Sequence, residues 1–154
     1  MNKCGAMFAY NGRIAQVCLS DAMTRNGRGF SGWGNAFGAV APIPRTPKAI
    51  DNTCFILLHE YTHQLTDALL KTSIYMDDVS HELSENVVMR FDYDWLEKID
   101  EPLLNRYLAW IADKSSKRDK AVLLKESFVR IFPVPEILEQ QMALLVEKVF
   151  QQKS

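Results

Sequence analysis

Residues 54–63 read CFILLHEYTH, an apolar run that leads directly into an HExxH motif. Apolar side chains continue at helical spacing as far as Leu70, and residues 51–53 (Asp-Asn-Thr) offer capping oxygens just before the run. This pattern predicts a helix over residues 54–70. The polar residues of the motif would then lie on a largely buried helix, where polar groups need a functional reason.

The chain before this helix has the pattern of a small sheet. An Asn-Gly pair at residues 11–12 separates two β-compatible runs, 6–10 and 14–19, and predicts a hairpin. A glycine-rich stretch over residues 26–38 leads into a further strand over 36–43, which three prolines bring to an end. Because proline cannot donate to a β-ladder, we expect this last strand at a sheet edge.

The rest of the chain has helical periodicity. We predict a second helix from residue 79 or 80 to 99, whose apolar face consists of Leu83, Val87, Phe91 and Trp95. Further helices are predicted from residue 101 through 111, over 117–132 and over 136–152. The fold class is therefore α+β, with a small antiparallel or mixed sheet followed by a helical half, in a single domain over residues 1–154.

Composition excludes several classes of protein. The 154 residues carry 18 basic and 19 acidic side chains, and this balance disfavours a nucleic-acid partner. No apolar segment approaches the ~20 residues of a membrane span. The chain as given shows no export signal, so we expect a cytoplasmic location by default. Three widely spaced cysteines predict buried or free thiols and not a disulfide framework.

The HExxH motif carries the chemistry. Residues four apart lie on one helical face, so His59 and His63 can bind one metal ion. Glu60 lies between them and is close enough to act as general base on a water molecule at the metal. The motif therefore predicts a Zn²⁺ site with a catalytic glutamate.

A catalytic zinc site typically has three protein ligands, so one is still needed. The metzincin pattern would place a histidine where this chain has Leu69. The second helix instead offers His81, Glu82 and Glu85. On a helical wheel Glu82 lies almost opposite the apolar face, whereas Glu85 lies at its boundary. We predict Glu85 as the third ligand, with Glu82 the main alternative and His81 a minor one.

The HExxHQ segment at residues 59–64, followed by Ser84-Glu85-Asn86 on a second helix, resembles the gluzincin clan of zinc metallopeptidases. Small bacterial gluzincin-like proteins are the most similar in character. The resemblance implies that both histidines and a downstream glutamate bind zinc and that Glu60 is the general base. The interval between His63 and Glu82 is similar to that in glutamate zincins, which keeps Glu82 as an alternative.

The same resemblance implies a zincin-like fold. Residues 34–41 would form an edge strand that binds an extended peptide by strand addition. Four side chains could supply the donor that stabilises the oxyanion: Tyr75, Arg90, Tyr93 and Tyr107. The signature residues of thermolysin and of the aminopeptidases are absent, so no substrate preference is implied.

The sequence thus predicts a zinc metallopeptidase acting on a peptide or protein substrate. Two alternatives remain open at this point. One is a catalytically inactive zincin-like binding domain, and the other is a zinc-dependent hydrolase of a non-peptide amide. Fewer strands precede the motif than a complete zincin sheet contains, which favours the inactive domain or an N-terminally truncated chain.

Overall fold

The computed structural model describes residues 16–21, 30–31, 38–72, 81–114 and 125–151. This part of the chain forms three strands and five helices, and the predicted α+β class is confirmed. The strands are β1 (Gln16–Ser20), β2 (Phe30–Ser31) and β3 (Gly38–Pro42). The helices are α1 (Pro47–Thr72), α2 (His81–Ile99), α3 (Glu101–Lys114), α4 (Lys125–Ile131) and α5 (Glu136–Gln151).

The described sheet is mixed, with the strand order β1-β3-β2. β1 runs parallel to β3, and β2 runs antiparallel to it, so that Cys18 and Phe30 both face Val40 across the two ladders. The predicted edge position of this strand is wrong, because β3 lies between the other two described strands. Pro42 is tolerated there because it is the last residue of β3, where a missing donor interrupts no further ladder. Residues 34–37 of the predicted edge strand lie outside the described residues.

The predicted N-terminal hairpin lies mostly outside the described residues. Its first run, 6–10, and the Asn-Gly turn are among the residues not described. Its second run, 14–19, overlaps β1, whose described partner is β3. The hairpin itself stays a prediction.

Helix α1 begins earlier than predicted. The backbone N–H of Ala49 donates to the carbonyl oxygen of Thr46 at 3.0 Å and to its Oγ1 at 3.2 Å, which makes Thr46 the capping residue. Pro47 occupies the first helical position, where the missing N–H costs nothing. The sequence pattern predicts a start at residue 54 and assigns Pro47 only to the end of the preceding strand, whereas Pro47 begins the helix.

The three residues expected to cap α1 lie inside it and bind neighbouring elements instead. Thr53 donates its hydroxyl to the carbonyl oxygen of Pro42 at 2.9 Å, which joins α1 to the end of β3. Asn52 Oδ1 accepts a hydrogen bond of 3.1 Å from the Trp110 indole on α3. Asp51 pairs with the guanidinium of Arg106, also on α3. These contacts fix the N-terminal half of α1 between the sheet and α3.

The remaining helices agree with the predicted pattern within the described residues. α2 is described from His81, and α3 follows it after Asp100, whose Oδ1 accepts from the backbone N–H of Leu103 at 3.0 Å. α4 ends at Ile131, one residue before the predicted end. The start predicted for this helix, residues 117–124, lies outside the described residues.

The core forms where α1 contacts α2, α3, α5 and the sheet. The predicted apolar face of α2 is buried at Val87, Phe91 and Trp95, and Leu83 packs partly buried against it. Burying each such side chain fully contributes about 1.5–3 kcal/mol. α1 is therefore the central helix, and its HExxH segment is held by packing on several sides.

Two of the three cysteines, Cys18 and Cys54, lie in the described part of the chain; both are free and exposed. None of the described helices is long and apolar enough to cross a membrane.

Replacing Thr53 by valine tests the contact between α1 and β3. The variant keeps the side-chain shape but removes a buried hydroxyl donor, so we expect the free energy of unfolding to fall by about 1–2 kcal/mol. Urea unfolding followed by circular dichroism measures this. Cys54→Ser, an exposed neighbour on the same helix, is the control and should change stability by less than about 0.5 kcal/mol. Equal stabilities of wild type and Thr53→Val would contradict the role of this hydrogen bond.

Candidate metal centre

Three side chains from two helices converge beside the sheet. His59 and His63 lie one turn apart on α1, and their Nε2 atoms are 3.1 Å from each other. Glu85, in the second turn of α2, places Oε2 at 3.0 Å from His59 Nε2 and Oε1 at 2.9 Å from His63 Nε2. One ligand atom from each residue lies within 4.8 Å of the others, and these residues form the only such group in the described part of the chain.

The cluster lies at the border between core and solvent. The side chains of His59 and His63 are 14% and 19% exposed, while that of Glu85 is 31% exposed. The two imidazole rings meet edge to face at a centroid distance of 4.7 Å. Glu85 is thus the member of the cluster most exposed to solvent, and the two histidines lie closer to the core.

The pKa values of these groups depend strongly on one another. Burial alone would raise the pKa of Glu85, but hydrogen bonds from His59 and His63 hold it well below its usual range. Burial alone would lower the pKa of His59, but the hydrogen bond and charge of Glu85 outweigh this effect and raise it. The carboxylate of Glu85 is thus ionised, and its charge favours the protonated form of His59.

The donor set fits a zinc ion. Two imidazole nitrogens and one carboxylate are ligands that zinc takes in catalytic sites, and ligand atoms around a tetrahedral zinc are about 3.3–3.5 Å apart. The distances here, from 2.9 to 3.1 Å, are only a few tenths of an ångström shorter. The cluster can therefore accept the ion through a slight outward movement of the three side chains.

The outer nitrogens of the two rings differ in their surroundings. His63 Nδ1 faces the Ser84 hydroxyl at 3.4 Å. His59 Nδ1 is buried and has no hydrogen-bond partner among the described residues. A histidine that binds metal through Nε2 carries its proton on Nδ1, where an acceptor usually orients the ring. Ser84 supplies such a contact for His63.

A buried carboxyl group lies behind the cluster. Asp92 on α2 is completely buried and accepts hydrogen bonds from the hydroxyls of Thr62 on α1 and Tyr107 on α3, the latter at 3.3 Å. Burial raises its pKa to about 6, although the nearby His59 and both hydrogen bonds act in the opposite direction. Asp92 thereby connects the HExxH helix to both neighbouring helices.

The structure separates the candidates for the third ligand. Glu85 lies with the two histidines, whereas Glu82 is exposed one turn nearer the start of α2 and outside the cluster. His81 also lies outside the cluster, with Nε2 at 3.9 Å from Glu85 Oε1. Glu60 is partly exposed and follows His59 directly on α1. Helical phase thus indicated the right glutamate for this cluster, and metal binding itself stays a prediction.

The described candidates for an oxyanion donor have internal partners. The Tyr107 hydroxyl donates to Asp92, and the Arg90 guanidinium is buried against Glu139 and the carbonyl oxygen of Phe132. The Tyr93 ring packs on Phe128, with a centroid distance of 4.7 Å. Each of the three therefore makes a structural contact, and a role in oxyanion stabilisation stays a prediction. Tyr75 lies outside the described residues.

Sequence reasoning assigned no role to three residues that support the cluster, Thr62, Ser84 and Asp92. Asp92 had a detectable signal, because it follows Glu85 by two helical turns and therefore lies near the same face of α2. Nothing in the sequence indicated a role for Thr62 or Ser84, because their contacts depend on how two helices pack.

The buried position of Asp92 predicts a pH dependence of stability in the chelator-treated protein. In the unfolded chain its pKa is about 3.9, so the folded state binds more protons between about pH 4 and 6, and the free energy of unfolding falls as pH rises through that window. Asp92→Asn should lack this fall, which amounts to at most about 3 kcal/mol. Urea unfolding from pH 4 to 8 measures it.

The exposed carboxyl group of Asp113 on α3 provides the control for this measurement. Asp113→Asn should show the same pH profile as wild type. Identical profiles for wild type and Asp92→Asn would show that Asp92 titrates as it does in the unfolded chain.

Comparison with known proteins suggests no function for this site. No protein-family model, no curated protein sequence and no solved structure matches the chain. The function is therefore inferred from the chemistry of the cluster.

Proposed function

We propose that this protein is a zinc-dependent metallopeptidase of the gluzincin type, which hydrolyses peptide bonds in a peptide or protein substrate. The observation that supports the proposal is the convergence of His59 Nε2, His63 Nε2 and the Glu85 carboxylate within hydrogen-bonding distance. An HExxH helix and a glutamate on the following helix supply the two parts that such a site needs.

His59, His63 and Glu85 would hold the ion. Bound Zn²⁺ would polarise the scissile carbonyl and lower the pKa of a water molecule. The lowered pKa of Glu85 keeps it ionised, which suits it to bind a divalent cation. Ser84 orients His63 through Nδ1, and the histidines are held from behind by the core.

Glu60 would move the proton. Its carboxylate accepts a proton from the attacking water and delivers it to the leaving amine, so that one group serves as base and then as acid. Its position next to His59 and its partial exposure suit both steps. The substrate must enter from the solvent side, because α2, α3 and the core occupy the other sides of α1.

A zincin-like arrangement is part of the proposal. β3 packs directly on the HExxH helix, where the Tyr61 hydroxyl accepts a hydrogen bond from the backbone of Ala39 and Thr53 donates to Pro42. A strand bound to the metal-binding helix in this way fixes the sheet at a constant distance from the site. The two edges of the described sheet belong to β1 and β2.

A non-catalytic zincin-like domain is the second candidate function. One observation favours it: His59, Glu85 and His63 already pair with one another, so the cluster is electrostatically satisfied as it stands. Such a domain would use the metal for stability or the cleft for binding. Hydrolysis of a non-peptide amide is a further outcome that the activity assay below can show.

Metal content tests the ligand set. We expect about one zinc per chain in wild type by inductively coupled plasma mass spectrometry, and loss of that zinc in Glu85→Ala. Glu82→Ala is the matched control, since it removes an exposed glutamate from the same helix, and it should keep its zinc. Zinc lost from Glu82→Ala but retained in Glu85→Ala would reverse the assignment. Wild type without zinc after zinc is supplied would reject the proposed function.

Activity tests the role of Glu60. Glu60→Gln should retain zinc but lose peptide hydrolysis by a factor of about 10² or more, because it keeps the size of the side chain and removes the proton acceptor. Fluorogenic peptide pools and simple aryl amides serve as substrates. Full turnover by Glu60→Gln would contradict the mechanism. Zinc binding without turnover of any substrate by wild type would favour the non-catalytic domain.

A further inference from the structure

A third histidine lies next to the candidate metal centre. His81 is the first residue of α2, and its side chain is 89% exposed. Its Nε2 atom is 3.9 Å from Glu85 Oε1, the same oxygen that faces His63 at 2.9 Å. Residues four apart on a helix share a face, so His81 and Glu85 both face the cluster from α2.

His81 Nε2 lies close enough to Glu85 Oε1 for the two residues to bind the same ion. Ligand atoms around one tetrahedral zinc are separated by about 3.3–3.5 Å, and His81 Nε2 exceeds this by about half an ångström relative to Glu85. His81 does not belong to the group whose atoms lie within 4.8 Å of one another. A rotation of its side chain is therefore required, and the high exposure of the imidazole leaves room for it.

The ligand chemistry of the centre also favours a fourth ligand. His59, His63 and Glu85 supply three ligands, and a zinc site with three protein ligands has a fourth position for water or substrate. An imidazole is a good zinc ligand. His81 approaches the cluster from solvent, because its side chain is 89% exposed, whereas those of His59 and His63 are only 14% and 19% exposed.

We propose that His81 is a fourth, displaceable metal ligand, which rotates inward and closes the coordination sphere of the His59, His63 and Glu85 centre. The resting site then has three imidazoles and one carboxylate around the ion. Substrate must displace the His81 imidazole to reach the metal, so the residue restrains activity. The inference rests on the proposed metal centre and adds a ligand and a means of regulation to it.

Counting imidazoles in the zinc-loaded protein tests this directly. X-ray absorption spectroscopy should find three imidazole ligands in wild type and two in His81→Ala. Competition with a chromophoric chelator should show zinc bound about ten-fold or more weakly by His81→Ala, since removal of a direct ligand should cost at least as much as removal of an outer contact. Because His81 is exposed, the metal-free variant should keep the circular dichroism spectrum and thermal midpoint of the metal-free wild type.

Glu82→Ala is again the matched control, because it truncates the neighbouring exposed side chain and should keep three imidazoles and the wild-type affinity. Two imidazoles and equal zinc affinity in wild type and His81→Ala would overturn the inference and leave the three-ligand centre intact. Failure of wild type to bind zinc would overturn the proposed function and this inference together. The two failures are therefore distinguishable.

Discussion

The packing of α1 on α2 is the constraint on which the candidate centre depends. Two imidazoles from one helix and a carboxylate from the other lie 2.9–3.1 Å apart, so the cluster depends on the relative position of the two helices. Just behind the cluster, the Asp92 carboxyl group on α2 accepts hydrogen bonds from the hydroxyls of Thr62 on α1 and Tyr107 on α3. These bonds join the three helices. A buried apolar core on the same helices supplies the free energy that maintains this alignment.

The charges of the region are arranged around the two imidazoles. Glu85 lies in front of them, partly exposed and ionised, while Asp92 lies behind them in the core with a raised pKa. The charges of both carboxyl groups raise the pKa of His59. A divalent cation placed between the imidazoles would interact favourably with the ionised carboxylate of Glu85.

α1 also connects the site to the rest of the fold. Its N-terminal half is bound to β3 through Thr53 and to α3 through Asn52 and Asp51, while its middle carries His59 and His63 of the candidate metal centre. The polar residues before the HExxH motif therefore hold the helix in position and do not cap it. This position explains why the longest described helix is also the one that contacts the most neighbours.

The sequence by itself determined the helical period, the pairing of His59 with His63 and the position of Glu85 at the edge of an apolar face, because these depend on spacing within one helix. Tertiary structure alone decided the central place of β3, the start of α1 at Pro47 and the contacts of Asp92. Each of these joins residues far apart in the chain. Spacing along the sequence cannot specify such contacts, since they form only when the helices and the sheet pack against one another.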